Sequence, residues 1–105
     1  MRSSRKENLR AFRRVGVRMP ILLRDAGNGS KIRRMASTLD LSFLGTRIRA
    51  KTALKIGEKV EIVRLTGPSH PVPARVAWVG SKGSDLQGQV GLLYTDPLHA
   101  HLPLR

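Results

Sequence analysis

Val15-Gly16-Val17-Arg18-Met19-Pro20-Ile21-Leu22-Leu23-Arg24 is the stretch on which the reading of the fold turns. Val15, Val17, Met19, Ile21 and Leu23 fall on every second position, opposite Gly16, Arg18, Pro20, Leu22 and Arg24. Successive side chains of an extended chain point to opposite sides, so a period of two predicts a half-buried strand. Pro20 has no N–H to give to a ladder, which predicts an edge or a bulge there.

Outward from this strand the same signals repeat. Ala26-Gly27-Asn28-Gly29-Ser30 is a turn cluster. Residues 31–39 read as a second strand, with Ile32, Ala36 and Thr38 on one face and Met35 and Leu39 on the other. Asp40 to Gly45 interrupts it, and Thr46-Arg47-Ile48-Arg49 resumes it. A turn at Lys55-Ile56-Gly57-Glu58 precedes a strand from Lys59 to Leu65, where Val60 and Ile62 alternate with charges. Thr66 to Pro71 is a loop; Val72, Ala74, Val76 and Trp78 define a further strand. Gly80 to Gly88 reads as a long hairpin loop, and Val90, Leu92 and Tyr94 as the last strand. Six short strands without a long amphipathic helix predict an all-β barrel or sandwich. With four aromatic residues in 105, the core must rest on Val, Ile and Leu.

Composition narrows the function. A chain this short makes one domain and buries roughly two-thirds of its unfolded surface. It has no cysteine, which excludes disulfides and thiolate metal sites and fits a reducing cytoplasm. No apolar run approaches the roughly 20 residues of a membrane span, and the basic start lacks the apolar stretch of a secretory signal. The expected location is therefore the cytoplasm, without membrane insertion. The formal charge is +13, of which residues 1–34 carry +9, from eleven Lys or Arg against Glu7 and Asp25. Such a field attracts anions. Residues 1–9 are charged and aperiodic, which predicts a flexible basic arm.

Two motifs give the charge a direction. Arg10-Ala11-Phe12-Arg13-Arg14 runs directly into the first strand. In an extended segment Arg10 and Arg14 lie on one side, and each guanidinium is a planar fork suited to a phosphate or to stacking on a base. Arg13 points elsewhere and can supply a further contact. Asp40-Leu41-Ser42-Phe43-Leu44-Gly45 is the second motif. Its carboxylate can accept the paired N–H donors of a guanine edge. Ser42 can serve the base or a phosphate, and Gly45 would allow a positive φ at the bend. Each motif alone also fits a blander role, a solvated basic tail or an Asx turn.

Both motifs in this order, with a Val-x-Val strand behind the first, resemble the PilZ domain family. Leu54 to Ile62, Ala74-Arg75-Val76-Ala77-Trp78-Val79 and Val90-Gly91-Leu92-Leu93-Tyr94 look similar to its later strands, so the resemblance covers residues 8–95. It implies a six-stranded antiparallel β-barrel over residues 10–96, preceded by the flexible arm at 1–9 and followed by a short C-terminal tail at 97–105. It also implies a non-catalytic receptor for the bacterial second messenger cyclic di-GMP, with Arg10, Arg13, Arg14, Asp40, Ser42 and Gly45 as ligand-binding residues. An Arg14-to-Arg18 reading of the first motif would fall inside the strand rather than ahead of it. Ligand capture is expected to order the arginine loop and present a changed surface to an effector protein. The tail after Pro97 is eight residues, with Pro103 among them. It has room for a helical turn, but its shortness departs from the many relatives that continue with a longer helix, which is therefore not expected here.

Other chemistry has little support. Gly27-Asn28-Gly29 lacks the spacing and the Lys-Ser/Thr of a phosphate loop. No nucleophile stands with a base and an orienting group. His99 and His101 lack further metal ligands. No cofactor is expected beyond the ligand. Trp78, alone in its strand, reads as a core or rim residue. Charge alone would suit a nucleic-acid-binding barrel, but Phe12, Phe43, Trp78 and Tyr94 are too scattered for a stacking platform, so nucleic acid is not the expected partner. A third reading keeps the fold as a protein-interaction adaptor without ligand.

Overall fold

The computed structural model describes residues 14–26, 33–51, 53–67 and 70–100. The arm at 1–9, Arg10, Arg13, Ile32, the Gly27-Asn28-Gly29 turn and His101 lie outside the described residues. Seven strands come in order: β1 (Val15–Gly16), β2 (Pro20–Asp25), β3 (Arg33–Leu41), β4 (Gly45–Ala50), β5 (Lys59–Arg64), β6 (Val72–Val79) and β7 (Gln89–Tyr94). A 3₁₀ turn, Pro97–His99, comes after them. Every pairing is antiparallel. The order β3-β2-β5-β6-β7-β4 closes on itself through β3–β4, giving a six-stranded barrel with β1 laid on the outer end of β3. Closure leaves no unpaired edge around the ring. Among the described residues no helix is long and apolar enough to cross a membrane.

The alternation read from the sequence fills the barrel. Ile21, Leu23, Ile48, Val60, Ile62, Val76 and Leu92 are essentially inaccessible, and Val72, Ala74 and Val90 complete the layers. Each aliphatic side chain of this size contributes about 1.5–3 kcal/mol by leaving water. Tyr94 joins them; burial pushes its hydroxyl up to about 12, against a smaller downward pull from the Arg14 charge.

The first strand is not continuous. Val15 and Gly16 pair with Leu41 and Asp40, whereas Pro20 opens β2 opposite Ser37, so the register slips by one across Val17–Met19. Thr38 repairs the gap with its side chain. Its hydroxyl donates to the Val17 carbonyl and accepts the Met19 N–H at 2.9 Å, while the Thr38 N–H bonds the Met19 carbonyl at 2.9 Å. Bonded and non-bonded pairs alternate along an antiparallel ladder, so Pro20 falls where no N–H is required. The bulge expected at Pro20 is thus present, just ahead of it. Val15 consequently lies on the surface rather than in the half-buried face.

Two further irregularities matter for the site. Thr38 pairs with Ile48 but Asp40 pairs with Arg47, which leaves Leu39 as an extra residue in β3. Val76 pairs with Leu92 but Trp78 pairs with Gly91, which leaves Ala77 as an extra residue in β6. Each bulge reverses which side the next side chain faces. At the far side of the barrel Arg34 bonds Glu58 at 3.0 Å and lies 3.6 Å from Asp25, tying β3 to the turn before β5. Burial raises the Glu58 carboxyl, but the Lys55 N–H and the Arg34 guanidinium outweigh it and hold it below its ordinary value.

Candidate functional site

Strand β3 runs on through Asp40 and Leu41, so the interruption expected from Asp40 shrinks to a turn of Ser42, Phe43 and Leu44. The β3 bulge then sorts the two residues. Leu41 turns into the core opposite Thr46, and Asp40 turns outward beside Arg47. Asp40 is nonetheless only 5% exposed, because two arginines cover it. Arg14 Nη1 reaches Oδ1 at 2.9 Å; Arg47 Nε and Nη2 reach Oδ2 at 3.0 and 2.7 Å. An ionised carboxylate offers about four lone-pair directions, and three are taken. The Asp40 carbonyl accepts the Thr46 hydroxyl at 2.7 Å, which fixes the backbone beneath the pair.

The turn itself is tight. The Ser42 N–H bonds the Gly45 carbonyl at 2.8 Å, and the Ser42 hydroxyl lies 3.3 Å from both the Gly45 N–H and carbonyl. Gly45 does not have the positive φ expected of it; among the described glycines that conformation belongs to Gly57, Gly67, Gly83 and Gly88. The requirement is a close approach instead. A Cβ on Gly45 would sit 1.9 Å from the Leu92 carbonyl oxygen on the neighbouring β7.

Arg14, Ser42, Gly45 and Trp78 meet around one open groove of about 480 Å³, floored by Leu92 and Gly91. The sequence places Trp78 in the core or at the rim. The β6 bulge at Ala77 puts it instead on the outer face, with its indole lying across Gly91, where a Cβ would fall 2.1 Å from Nε1. The structure therefore brings together Arg14, Asp40, Ser42 and Gly45 of the residues named from the sequence. Asp40 stands behind Arg14 rather than on the groove wall. Arg10 and Arg13 lie outside the described residues. Arg47 was missed; the signal for it was its place two residues past Gly45, on the outward side of β4, where it falls across from Asp40 once the bulge is counted. Among the described residues no group of three His, Cys, Asp or Glu side chains could hold a metal ion.

A sequence profile described as the PilZ domain matches residues 8–101. The chain belongs to the PilZ domain family. A solved relative in fold is the PilZ domain of CeSA from a cellulose synthesizing bacterium, at a TM-score of 0.61 and 23% identity, with 80% of this chain and 81% of that one covered. No curated protein sequence matches the chain. The six-stranded antiparallel barrel is the PilZ fold, and the Arg14–Asp40 pair joins the two motifs by which the sequence resembles the family.

Proposed function

We propose that this PilZ domain is a non-catalytic receptor module for cyclic di-GMP. The observation that carries the reading is the convergence of Arg14, Ser42, Gly45 and the Trp78 indole on one open groove, with Asp40 holding Arg14 at its edge. A planar base finds an indole face and a guanidinium there, and a phosphate finds a cation.

Capture proceeds by exchange. Arg14 is half exposed and bound to Asp40 through one nitrogen, so it swings to a ligand phosphate or base at little cost. That frees Oδ1 of Asp40 for the N1–H and N2–H₂ edge of a guanine. Arg47 keeps its two bonds to Oδ2 and so keeps the carboxylate oriented. Arg10 and Arg13, named from the sequence, are the further cations this reading assigns to the ligand. The newly covered surface is what an effector protein reads, a ligand-ordered switch. Fixing each backbone residue costs about 1–2 kcal/mol, which moderates affinity.

Calorimetric titration with cyclic di-GMP, GTP and a short single-stranded DNA, repeated on Arg14→Ala, tests the reading. Saturable binding to cyclic di-GMP alone, lost in the variant, is expected. Salt-steep binding to DNA with none to cyclic di-GMP would replace it with the nucleic-acid reading.

A further inference from the structure

A second groove, of about 490 Å³, opens where the ends of β4 and β6 meet the start of β7. Its rim carries Arg49, Lys51 and Lys82, all exposed, and among the described residues no acidic one lines it. None of the three has an ion-pair partner among the described residues. Arg14, Arg24, Arg34 and Arg47 each face a carboxylate, while Arg18, Lys55, Lys59 and Arg75 have no ion pair among the described residues either; what sets this groove apart is three such cations on one rim. The floor is aliphatic, built on Leu54, Val79 and Val90.

The wall is pre-formed. The Gly80–Gly88 loop is held by its own bonds: Gly83 N–H to Gln87 Oε1 at 2.7 Å, Ser84 N–H to the Ser81 carbonyl at 3.0 Å and Gln89 N–H to the Leu86 carbonyl at 2.9 Å. Gly80 packs so closely on Leu86 that a Cβ would meet its carbonyl oxygen at 1.7 Å. The Ala50 N–H bonds the Gly88 carbonyl at 3.0 Å, fixing the loop to β4. A partner therefore meets a wall that needs little ordering.

We infer that this groove docks an extended acidic segment of a partner protein, one that alternates carboxylates with aliphatic side chains. Arg49 on β4 and Lys51 just past its end are both exposed on either side of buried Ala50, and alternate side chains of an extended chain repeat about every 6.7 Å on one face. A strand with acids at every second position carries its carboxylates at the same repeat. Its intervening aliphatic side chains face the floor while the carboxylates face the mouth, where the rim cations stand, and opposite charge fixes the register. Nucleic acid is the poorer fit, because among the described residues no aromatic one lines the groove to stack a base. This inference does not rest on the identity of the ligand in the first groove.

Fluorescence anisotropy of the full chain with a labelled peptide of alternating glutamate and leucine tests it. An alternating glutamate–serine peptide and a labelled single-stranded DNA serve as comparisons. The paired variant Lys51→Glu/Lys82→Glu is expected to weaken the glutamate–leucine peptide by about tenfold or more. Lys59→Glu/Arg75→Glu, an equal charge change on the exposed β5–β6 face, is expected to leave binding within about twofold. An unchanged Trp78 emission maximum in both variants shows that each is folded. Equal weakening by both variants would reduce the effect to net charge and overturn the proposal. So would equal affinity for the serine peptide, or DNA binding that depends on Lys51 and Lys82 while the peptide does not bind.

Discussion

Arg47 grips one oxygen of Asp40 with two nitrogens, Nε at 3.0 Å and Nη2 at 2.7 Å, and places its remaining nitrogen 3.3 Å from Gln89 Oε1. The second motif of the family thus reaches Arg14 through a carboxylate that β4 already holds in place. Arg47→Met keeps the aliphatic stem but removes the fork. It leaves Asp40 with one partner, and a lost hydrogen bond to a charged group costs about 1.5–3 kcal/mol, toward the lower end here because Arg47 is over a third exposed. The urea midpoint is expected to fall accordingly, and cyclic di-GMP affinity by about tenfold in calorimetry. Affinity equal to that of the parent would mean that Asp40 needs no support from β4.

Gly91 leaves room for the indole. Gly91→Ala places a methyl where Trp78 now lies, and the ring, rather than the backbone, has to move. The barrel should remain intact by far-ultraviolet circular dichroism while the tryptophan emission shifts to longer wavelength. Cyclic di-GMP binding should weaken by several-fold. An unchanged emission maximum would show that the indole does not occupy that position in solution.

Gly45→Ala meets backbone rather than a side chain. The new methyl would sit 1.9 Å from the Leu92 carbonyl oxygen, so β4 and β7 must separate at the Gly45–Leu93 pair. Overpacking of this kind costs about 1–3 kcal/mol or more. Chemical unfolding should show the loss without ligand present, which separates this glycine's structural duty from any part in binding. A stability equal to the parent would contradict the close approach.

Glu58 supplies a pH dependence. Its folded carboxyl ionises below the ordinary value of 4.5, chiefly through the Lys55 N–H and Arg34, which outweigh burial. A depressed carboxyl pKa stabilises the fold above the unfolded value, and that stability disappears as pH falls through the folded one. The stability gap between the parent and Glu58→Gln should therefore be full at neutral pH and shrink as the pH drops below about 4.5. A gap that stays constant down to about pH 3 would mean that Glu58 acts through shape alone.

The barrel was legible because its core obeys a period of two, and Ile21, Leu23, Val60, Ile62, Val76 and Leu92 all point where alternation puts them. Alternation failed at three places, Val17–Met19, Leu39 and Ala77, where a strand carries an irregularity that local composition does not announce. The site depends on two of them. Asp40 and Ser42 were readable as motif residues, but the outward turn of Trp78 and the approach of Arg47 to Asp40 are properties of pairing between strands distant in sequence. The role of Gly45 was misassigned for the same reason. A bend suggests a torsion-angle requirement, whereas the constraint comes from Leu92 on β7.

The bulges at Leu39 and Ala77 make the site a matter of parity. A closed barrel gives every residue one of two addresses, lumen or exterior, and a single supernumerary residue exchanges them for the rest of its strand without disturbing the strand count. Insertion or deletion of one amino acid in β3 or β6 is therefore a switch in kind, moving a whole side chain through the wall, while most point substitutions only tune what is already outside. The capacity of this barrel to acquire or lose a binding surface lies in the length of its strands as much as in their composition.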